Sequence, residues 1–403
     1  MKHKILIISA YFYPEQFKST DIALNLKKNG ADVTVLTGLP NYPEGKIYKN
    51  YSNLKDVGIR DFKDIKILRV PTFPRGRKAL NLGINYLSML FFYGFFSLFY
   101  LRFKNFNKII FIGFSPGLLA YVNIFFKNIF TDSPSSTLWL QDFWPDDLVS
   151  TGFFKSESIF VKSNRWLMKY IYSSYTELAA TSHGMASELR NRTNRKVKCI
   201  FNPIEEELFV KMNKAPLKKK FNEGKIKIMF AGNVSGNQNI DSILEAFKNE
   251  KVRERSEIHF FTHGARQIEN VKKMSDLYPS SIIFRGSLDI KDLYKESRCF
   301  DFGIVSLSDY ANLKDILPSR VQTMLSMGLP LISFGTPELA KIVLENKNGI
   351  IIDGCDHKSL EDSIIIASDF DNNQKLQFSR NSIELSKKIF SPNFIACQFL
   401  EDL

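Results

Sequence analysis

Short apolar runs alternate with helical stretches along the chain, and this alternation limits the fold more than any other feature of the sequence. A helix predicted from about Thr20 to Asn29 ends at Gly30, a residue type that favours helix C-termini. In the first half the apolar runs are 5–9, 32–37, 65–70, 108–112, 137–141 and 177–180. Apolar strands separated by helices are typical of a doubly wound parallel sheet. The first half therefore predicts a Rossmann-like α/β domain.

The alternation breaks once, in a polar and charged stretch at about 205–225, and then restarts. In the second half the runs are 226–231, 258–262, 282–285, 302–306, 329–333 and 349–352. We predict a first domain at 1–205 and a second at 206–390, with a C-terminal helix at about 391–403 as a candidate to pack back on the first. Ligands of such domains bind at the carboxyl ends of the strands, so we expect the domains to face a ligand-binding cleft.

The excess of positive over negative charge lies entirely in the first predicted domain. The net charge is +13, and residues 1–205 hold 28 Lys and Arg against 15 Asp and Glu, whereas the remainder holds 27 of each. A basic domain beside a neutral one indicates that only the first faces a polyanion, either a nucleic acid or an anionic membrane surface. A charge excess that serves only solubility is the alternative.

Cysteine and histidine spacing predicts neither a disulfide framework nor a metal site. The four cysteines are far apart, without a Cys-x-x-Cys pair, and the five histidines lack a ligand pattern. The apolar run near the N-terminus is only about six residues long and is expected to be a buried strand rather than a signal peptide. These features fit a reducing cytosol, and we expect no metal cofactor.

One segment, 83–101, is long and apolar enough to be a membrane candidate, since it has nineteen residues without a charge. A strand is predicted directly after it, at 108–112, and a full span would separate this strand from the earlier strands of the same sheet. A helix that lies partly in the bilayer interface and a wholly buried core helix therefore stay open. The basic residues Arg75, Arg77 and Lys78 before the segment favour contact with anionic lipid.

Four stretches together resemble glycosyltransferase family 4. They are YFYPEQFKSTDIALNLKKNGADVTVLTGLPNYPEGKIYKNY at 11–51, WLQDFWPDDLVSTG at 139–152, FAGNVSGNQNIDSILEAF at 230–247 and LPSRVQTMLSMGLPLISF at 317–334. More narrowly, they resemble the fucosamine-type transferases of bacterial O-antigen and colanic acid gene clusters. The resemblance implies the GT-B fold, in which two Rossmann-like doubly wound domains face a cleft. It also implies transfer with retention at the anomeric carbon.

The resemblance places the nucleotide-sugar donor in the second domain. Gly232, followed by Asn233, ends the first strand there, and a glycine lets backbone amides approach a diphosphate; a simple turn is the alternative. Ser319 and Arg320 open a helix where similar sequences place a cation on the donor phosphates. A cation is needed because charge builds up on the departing diphosphate. The pair His263–Gly264 resembles the family's glycine loop near the base.

Two departures from the family pattern concern the same site. Many members carry a Glu-x7-Glu pair, whose positions here are Asp315 and Thr323, so only the first keeps a carboxylate. The loop after Gly232 carries no charge where relatives often have a basic pair. Arg320 is then expected to carry more of the electrostatic load, helped by Arg285 near the end of a strand.

Candidate acceptor residues lie in the first domain. Asp142 ends a strand at the predicted ligand-binding edge, where it is expected to orient the acceptor hydroxyl or take its proton; a role in a turn or helix cap is the alternative. The resemblance adds Asn41 and Tyr42, in a loop that is a turn signature in any case. Gln16 and Lys18 are candidates to contact the diphosphate of a lipid-linked acceptor.

The resemblance as a whole implies a transferase that moves a sugar from a UDP-linked donor to an undecaprenyl-diphosphate-linked saccharide. N-acetyl-L-fucosamine or a similar amino or deoxy sugar is the expected cargo. The enzyme would work in the cytoplasm, peripherally on the inner face of the cytoplasmic membrane, and would not bind nucleic acid. A nucleotide-sugar epimerase of related fold, a basic nucleic-acid- or membrane-binding protein without catalysis, and a catalytically inactive scaffold are the alternatives. A dehydrogenase is disfavoured because no Gly-x-Gly-x-x-Gly follows a strand.

Overall fold

The structure, a computed structural model, divides the chain into two compact units. Unit 1 comprises Met1–Pro203 and Pro392–Leu403, and unit 2 comprises Ile204–Ser391. The structure describes residues 3–401 apart from 77–78, 102–103, 130–133, 151–153, 215–220, 222–223, 235–237, 264–266, 308–315, 335 and 353–355.

Unit 1 is an α/β unit built on one eight-stranded sheet. Its strands are β1 (Lys4–Ser9), β2 (Asp32–Thr37), β3 (Gly58–Phe62), β4 (Ile65–Arg69), β5 (Lys108–Gly113), β6 (Ser135–Leu140), β7 (Glu177–Ala180) and β8 (Val197–Cys199). Its helices are α1 (Lys18–Lys28), α2 (Ala79–Phe99), α3 (Val122–Ile129), α4 (Asp146–Ser150), α5 (Ile159–Ser174) and α6 (His183–Thr193), together with α16 (Pro392–Gln398).

The strand order of this sheet is β3-β4-β2-β1-β5-β6-β7-β8. Seven strands are parallel, as their apolar composition predicts, but β3 pairs antiparallel with β4 at the edge. The predicted parallel sheet is confirmed, and β3 is an additional antiparallel edge strand that the sequence did not predict. The reason is physical: β3 buries none of its side chains fully, so the segment lacks the apolar run that marks an inner strand.

Helix α2 has an unusual distribution of polar and apolar side chains. Its buried face carries Asn85, Ser88 and Ser97, whereas its exposed large side chains are apolar. Those at positions 80, 84, 87, 91, 95 and 99 recur every three or four residues and form a single exposed stripe, which we call the α2 stripe. Leu87 and Phe91 on this stripe remain 68% and 64% exposed.

Within the described residues, α2 is the one helix whose length and apolar composition would suffice for a membrane span. It connects β4 to β5, however, and both strands belong to the same sheet. A helix that crossed a bilayer would place those strands on opposite sides of it. The alternative of a wholly buried core helix is also wrong, because the α2 stripe is exposed.

The last helix returns to unit 1. α16 packs on α1, where the side-chain amide of Asn29 donates to Asn393 at 2.7 Å. Beyond α16, the ring of Phe399 packs edge-on against Trp139, with 5.4 Å between ring centroids, and both side chains are fully buried. The C-terminal segment therefore completes the core of unit 1.

Unit 2 is built on a six-stranded parallel sheet with the order β11-β10-β9-β12-β13-β14. Its strands are β9 (Ile226–Asn233), β10 (Ser256–His263), β11 (Ile282–Phe284), β12 (Phe302–Ser306), β13 (Leu331–Phe334) and β14 (Gly349–Ile352). Its helices are α7 (Glu206–Lys214), α8 (Ile240–Ala246), α9 (Glu250–Arg255), α10 (Ile268–Leu277), α11 (Ile290–Ser297), α12 (Ser319–Ser326), α13 (Pro337–Asn346), α14 (His357–Asp369) and α15 (Asn372–Ile389).

The core of unit 2 lies between this sheet and its helices. Phe230, Phe260 and Phe302 come from three adjacent strands and are fully buried. The two ends of the unit meet, since the backbone N–H of Ile204 donates to the carbonyl of Phe390 at 3.0 Å. Unit 2 is therefore a continuous segment whose ends are adjacent in space.

Candidate active site

The carboxyl end of β9 contains a backbone position that requires glycine. Gly232 has φ +134°, in the region that L-residues with side chains rarely adopt. A Cβ atom at this position would lie 3.8 Å from Nη1 of Arg320. Asn233 and His263 are register partners at the last pair of β9 and β10, so both lie at the carboxyl edge of the sheet. The edge predicted for the donor thus brings Gly232 close to Arg320.

Arg320 has a buried donor without a partner. Its Nη1 atom has no hydrogen-bond acceptor among the described residues. The guanidinium lies over the ring of Phe230, 5.5 Å from its centroid, and burial lowers the pKa of Arg320 to about 10. A buried cation is unfavourable unless an anion or an acceptor compensates it. The arrangement is therefore suited to binding an anion beside Gly232.

A pocket of about 190 Å³ adjoins this guanidinium. Ser319, the first residue of α12, lines it and is exposed. Thr323 also lines it, and its hydroxyl donates to the carbonyl of Ser319 at 3.3 Å. The remaining lining residues are Ala231, Gly232, Phe261, Ser287, Leu288, Leu293, Arg320, Met324 and Met327. The pocket thus combines one cation and two hydroxyl-bearing side chains of α12 with apolar walls.

The predicted donor residue Arg285 does not line this pocket. Arg285 points elsewhere: its Nε donates to Nδ1 of His259 at 3.2 Å, and His259 in turn contacts Glu257 at 2.9 Å. Gly264 and Asp315 lie outside the described residues, as does most of the uncharged loop after Gly232. The cation that the structure places at the pocket is Arg320.

In unit 1, a buried carboxylate joins two loops at the carboxyl edge of the sheet. Glu15 is 5% exposed and accepts hydrogen bonds from the backbone N–H groups of Asn41 and Tyr42, both at 2.8 Å. Burial raises the pKa of Glu15, and these hydrogen bonds partly oppose that rise. Glu15 therefore fixes the loop after β2 against the loop after β1.

The predicted acceptor residues of these loops differ in how free their side chains are. The Asn41 amide donates to the carbonyl of Leu39 at 3.0 Å and accepts from the backbone N–H of Arg75 at 3.1 Å. Asn41 is thus a loop-fixing residue, buried and already bonded. Tyr42 is 39% exposed and Gln16 is exposed, whereas Lys18 is half-buried at the start of α1.

Asp142 follows β6 and is half-buried, and no described residue hydrogen-bonds to its carboxylate. Burial and, secondarily, the charge of Asp147 raise the pKa of Asp142 to about 6. Asp147 itself accepts a hydrogen bond from the hydroxyl of Ser115, which follows β5. A carboxylate with a pKa near 6 can accept a proton at neutral pH and retains appreciable basicity.

Sequence reasoning missed Arg75 as a site residue and assigned it to the flank of the apolar segment. In the structure it lies in the loop that follows β4, beside Asn41, with its guanidinium 3.1 Å from the hydroxyl of Tyr11. Tyr86, from α2, packs edge-on against Trp144 in the loop after β6. No spacing rule links residues 41, 75, 86 and 142, so only the sheet topology brings them to one edge.

Among the residues that the structure describes, no group of three His, Cys, Asp or Glu side chains is arranged to hold a metal ion. The three described cysteines, Cys199, Cys299 and Cys397, form no disulfide bond with one another.

Comparison with known proteins gives one family and several structural relatives. Residues 225–368 match the family model described as "Glycosyl transferases group 1". A probable glycosyltransferase, WbjE of Pseudomonas aeruginosa, is 31% identical over 144 residues, which are 34% of this chain and 35% of the relative. The match thus spans about a third of the length of this curated relative.

The solved structures resemble the chain over nearly its full length. Sucrose-phosphate synthase from Thermosynechococcus elongatus has a TM-score of 0.71 at 13% identity, covering 99% of this chain and 98% of that one. WaaG, a glycosyltransferase involved in lipopolysaccharide biosynthesis, has a TM-score of 0.63 at 11% identity, covering 98% and 100%. HepE from Anabaena, solved in complex with UDP, has a TM-score of 0.66 at 12% identity, covering 100% and 99%.

At these identities the structural likeness establishes the fold alone, and that fold is GT-B, as the sequence predicts. The family match covers most of unit 2, including Gly232 and Arg320. Residues 225–368 of this chain are therefore a domain of the group 1 glycosyltransferases.

Proposed function

We propose that the protein is a retaining glycosyltransferase whose unit 2 binds a nucleotide-diphosphate sugar. The observation that carries this proposal is the buried Nη1 of Arg320 beside Gly232, which has no hydrogen-bond partner among the described residues. A diphosphate supplies the anion that this guanidinium lacks, and the glycine leaves room for its oxygen atoms. As the glycosidic bond breaks, charge accumulates on the diphosphate, so the same contact stabilises the transition state.

The donor nucleotide proposed is UDP. HepE, a structural relative, is solved with UDP and with UDP-glucose, which supports this choice, whereas starch synthase IV from Arabidopsis thaliana is solved with ADP. For the sugar itself, N-acetyl-L-fucosamine or a similar amino or deoxy sugar is proposed on the sequence resemblance. In this scheme Arg320 neutralises the departing diphosphate without a metal ion.

The proposed acceptor is a saccharide linked to undecaprenyl diphosphate, in the synthesis of a bacterial surface polysaccharide. The names of WbjE and WaaG support a role in bacterial glycan synthesis. Asp142 at the carboxyl edge of unit 1 is the group proposed to orient the acceptor hydroxyl and to take its proton.

The experiment that tests the donor proposal is the melting temperature of the purified chain with UDP, GDP, CMP and NAD. A ligand that binds only the folded protein raises the melting temperature by mass action. We expect a rise of several degrees with UDP at about 100 times its Kd, and none with NAD. A rise in melting temperature with NAD alone would refute the donor assignment. So would the absence of a rise with any of the four nucleotides.

Unit 1 is proposed to rest on the cytoplasmic face of the membrane through the α2 stripe. An exposed apolar face of this length is unusual on a water-soluble surface and is typical of an interfacial helix. The net positive charge of the chain, all of it in residues 1–205, favours an anionic leaflet. A nucleic-acid-binding role would leave the apolar stripe unexplained.

Replacing Phe91 and Phe95 together with serine should weaken binding to phosphatidylethanolamine vesicles containing phosphatidylglycerol at least tenfold. The two rings are 64% and 47% exposed, so the change removes apolar area that would otherwise enter the lipid while leaving the core intact. Co-sedimentation measures this effect.

The matched control replaces Leu54 and Ile59 with serine, since both are exposed apolar residues of unit 1 outside α2. This control should bind vesicles like the unaltered protein. Equal binding by the Phe91 and Phe95 variant would refute contact through the α2 stripe.

A further inference from the structure

Arg75 is a cation at the carboxyl edge of the unit 1 sheet with no carboxylate partner among the described residues. Its backbone N–H donates to Oδ1 of Asn41 at 3.1 Å, which fixes the loop that carries it. Its Nη1 donates to the hydroxyl of Tyr11 at 3.1 Å, and the guanidinium lies over the ring of Tyr42 at 5.6 Å. A guanidinium has five N–H donors, and the described side-chain contacts use one nitrogen. Arg75 is therefore held in place by neutral groups and keeps donors for an anion.

Arg75 and the proposed proton acceptor Asp142 both lie at the carboxyl edge of the unit 1 sheet, in the loops after β4 and β6, and Tyr86 packs against Trp144 in the loop that carries Asp142. The pKa of Tyr86 is raised by burial, lowered by the charge of Arg75 and raised again by Asp147 and Asp142. Tyr86 is thus within electrostatic range of the cation and of both carboxylates. An acceptor whose hydroxyl faces Asp142 would accordingly have Arg75 near another part of the same molecule.

Along the sequence, Arg75 lies shortly before the exposed apolar face of α2. The α2 stripe begins at Leu80, five residues after Arg75, and continues to Phe99. With a rise of about 1.5 Å per residue, the stripe is roughly 28 Å long. A cation near the start of the α2 stripe suits an amphiphile that has an anionic head and a long hydrocarbon tail.

We propose that Arg75 binds the diphosphate of a prenyl-diphosphate-linked acceptor, whose prenyl chain leaves along the α2 stripe into the lipid. This inference rests on the proposed glycosyltransferase function, because it assigns the acceptor of that reaction a binding residue. The planar guanidinium can pair with two oxygens of a diphosphate through two parallel N–H groups held in a fixed geometry, which neither a tyrosine hydroxyl nor the single ammonium of a lysine offers. A diphosphate is thereby distinguished from an uncharged lipid of the same chain length.

Farnesyl diphosphate and farnesol are the probes, and their binding to the full chain is measured by calorimetry with saturating UDP present. The variants are Arg75→Ala and, as a matched control for the loss of one positive charge, Arg190→Ala on the exposed surface of α6. We expect Arg75→Ala to raise the Kd of farnesyl diphosphate at least tenfold and to leave the Kd of farnesol unchanged. Arg190→Ala should change neither value by more than about twofold.

A third variant separates the two phosphate sites. Arg320→Ala should retain normal affinity for farnesyl diphosphate if the probe binds in unit 1. Loss of binding in Arg320→Ala with normal binding in Arg75→Ala would overturn the inference, as would an unaltered protein that binds the diphosphate no better than farnesol. In either case a UDP-induced rise in melting temperature would leave the glycosyltransferase proposal standing, so the two failures are distinguishable.

Discussion

Replacing Arg320 with alanine is expected to lower turnover about 100-fold and to remove most of the stabilisation by UDP. Its Nη1 atom is buried beside Gly232 and has no partner in the described structure. Removing one preorganised donor from a developing negative charge usually costs two to three orders of magnitude in rate, about 100-fold or more. The measurements are the rate of UDP release from a UDP-sugar and the melting temperature with and without UDP.

The ligand-free melting temperature distinguishes a binding role from a structural one. Because burial already disfavours the charged guanidinium, the Arg320→Ala variant without ligand should melt at the same temperature or higher. A structural arginine would instead lower the melting temperature of its alanine variant. Arg380→Ala, which removes an exposed arginine of unit 2, is the matched control and should keep normal turnover. Normal turnover in Arg320→Ala would exclude the residue from the donor site.

Replacing Asp142 with asparagine is expected to lower turnover about 100-fold at pH 7.5, the lower end of what a general base contributes. The burial that raises the pKa of Asp142 to about 6 also sets the pH dependence. In the unaltered protein, kcat should fall as the pH drops through about 6, since protonation removes the acceptor for the hydroxyl proton. The Asp142→Asn variant should lack this limb. A kcat that is insensitive to pH between 5 and 8 would contradict the role as proton acceptor.

The same substitution should also change the free energy of unfolding, by an amount that depends on pH. The folded-state pKa of about 6 lies above the ordinary value of 3.8, so folding favours the protonated carboxyl. The contribution of the protonated Asp142 carboxyl to the free energy of unfolding is fully present below pH 3.8 and is lost as the pH rises through about 6. Asp142→Asn should therefore stabilise the protein by about 3 kcal/mol at pH 8 and by less than about 1 kcal/mol at pH 4. Denaturant unfolding at the two pH values measures the difference.

The sequence was sufficient to predict the α/β fold because most strands are continuous apolar runs between helices. It did not predict β3, because the residues of this strand remain largely exposed. A strand at the edge of a sheet need not be apolar. Helix α2 was recognised as a candidate interfacial helix, but the sequence left its burial open. Deciding that point required the inward placement of Asn85, Ser88 and Ser97, which a hydropathy count cannot supply.

The candidate site was predictable only in part. Gly232 and Arg320 lie far apart in the sequence, and the family resemblance placed them at the same ligand. In the structure, Nη1 of Arg320 lies 3.8 Å from the place that a Cβ atom of residue 232 would occupy. Arg285 was predicted from its position near a strand end, but its side chain turns toward His259 and donates a hydrogen bond to it. Arg75 was missed because its place depends on a hydrogen bond to Asn41, a contact between residues 34 positions apart.

The return of the chain to unit 1 has a consequence for biosynthesis. Once residues 1–203 have emerged from the ribosome, every strand of unit 1 is available, yet Trp139 still lacks the ring of Phe399 and α1 still lacks α16. Unit 2, by contrast, is contiguous, and its ends can join as soon as residue 390 has emerged. Unit 2 is thus able to mature first during translation, while the earlier-made unit waits, with part of its core uncovered, for the final helix.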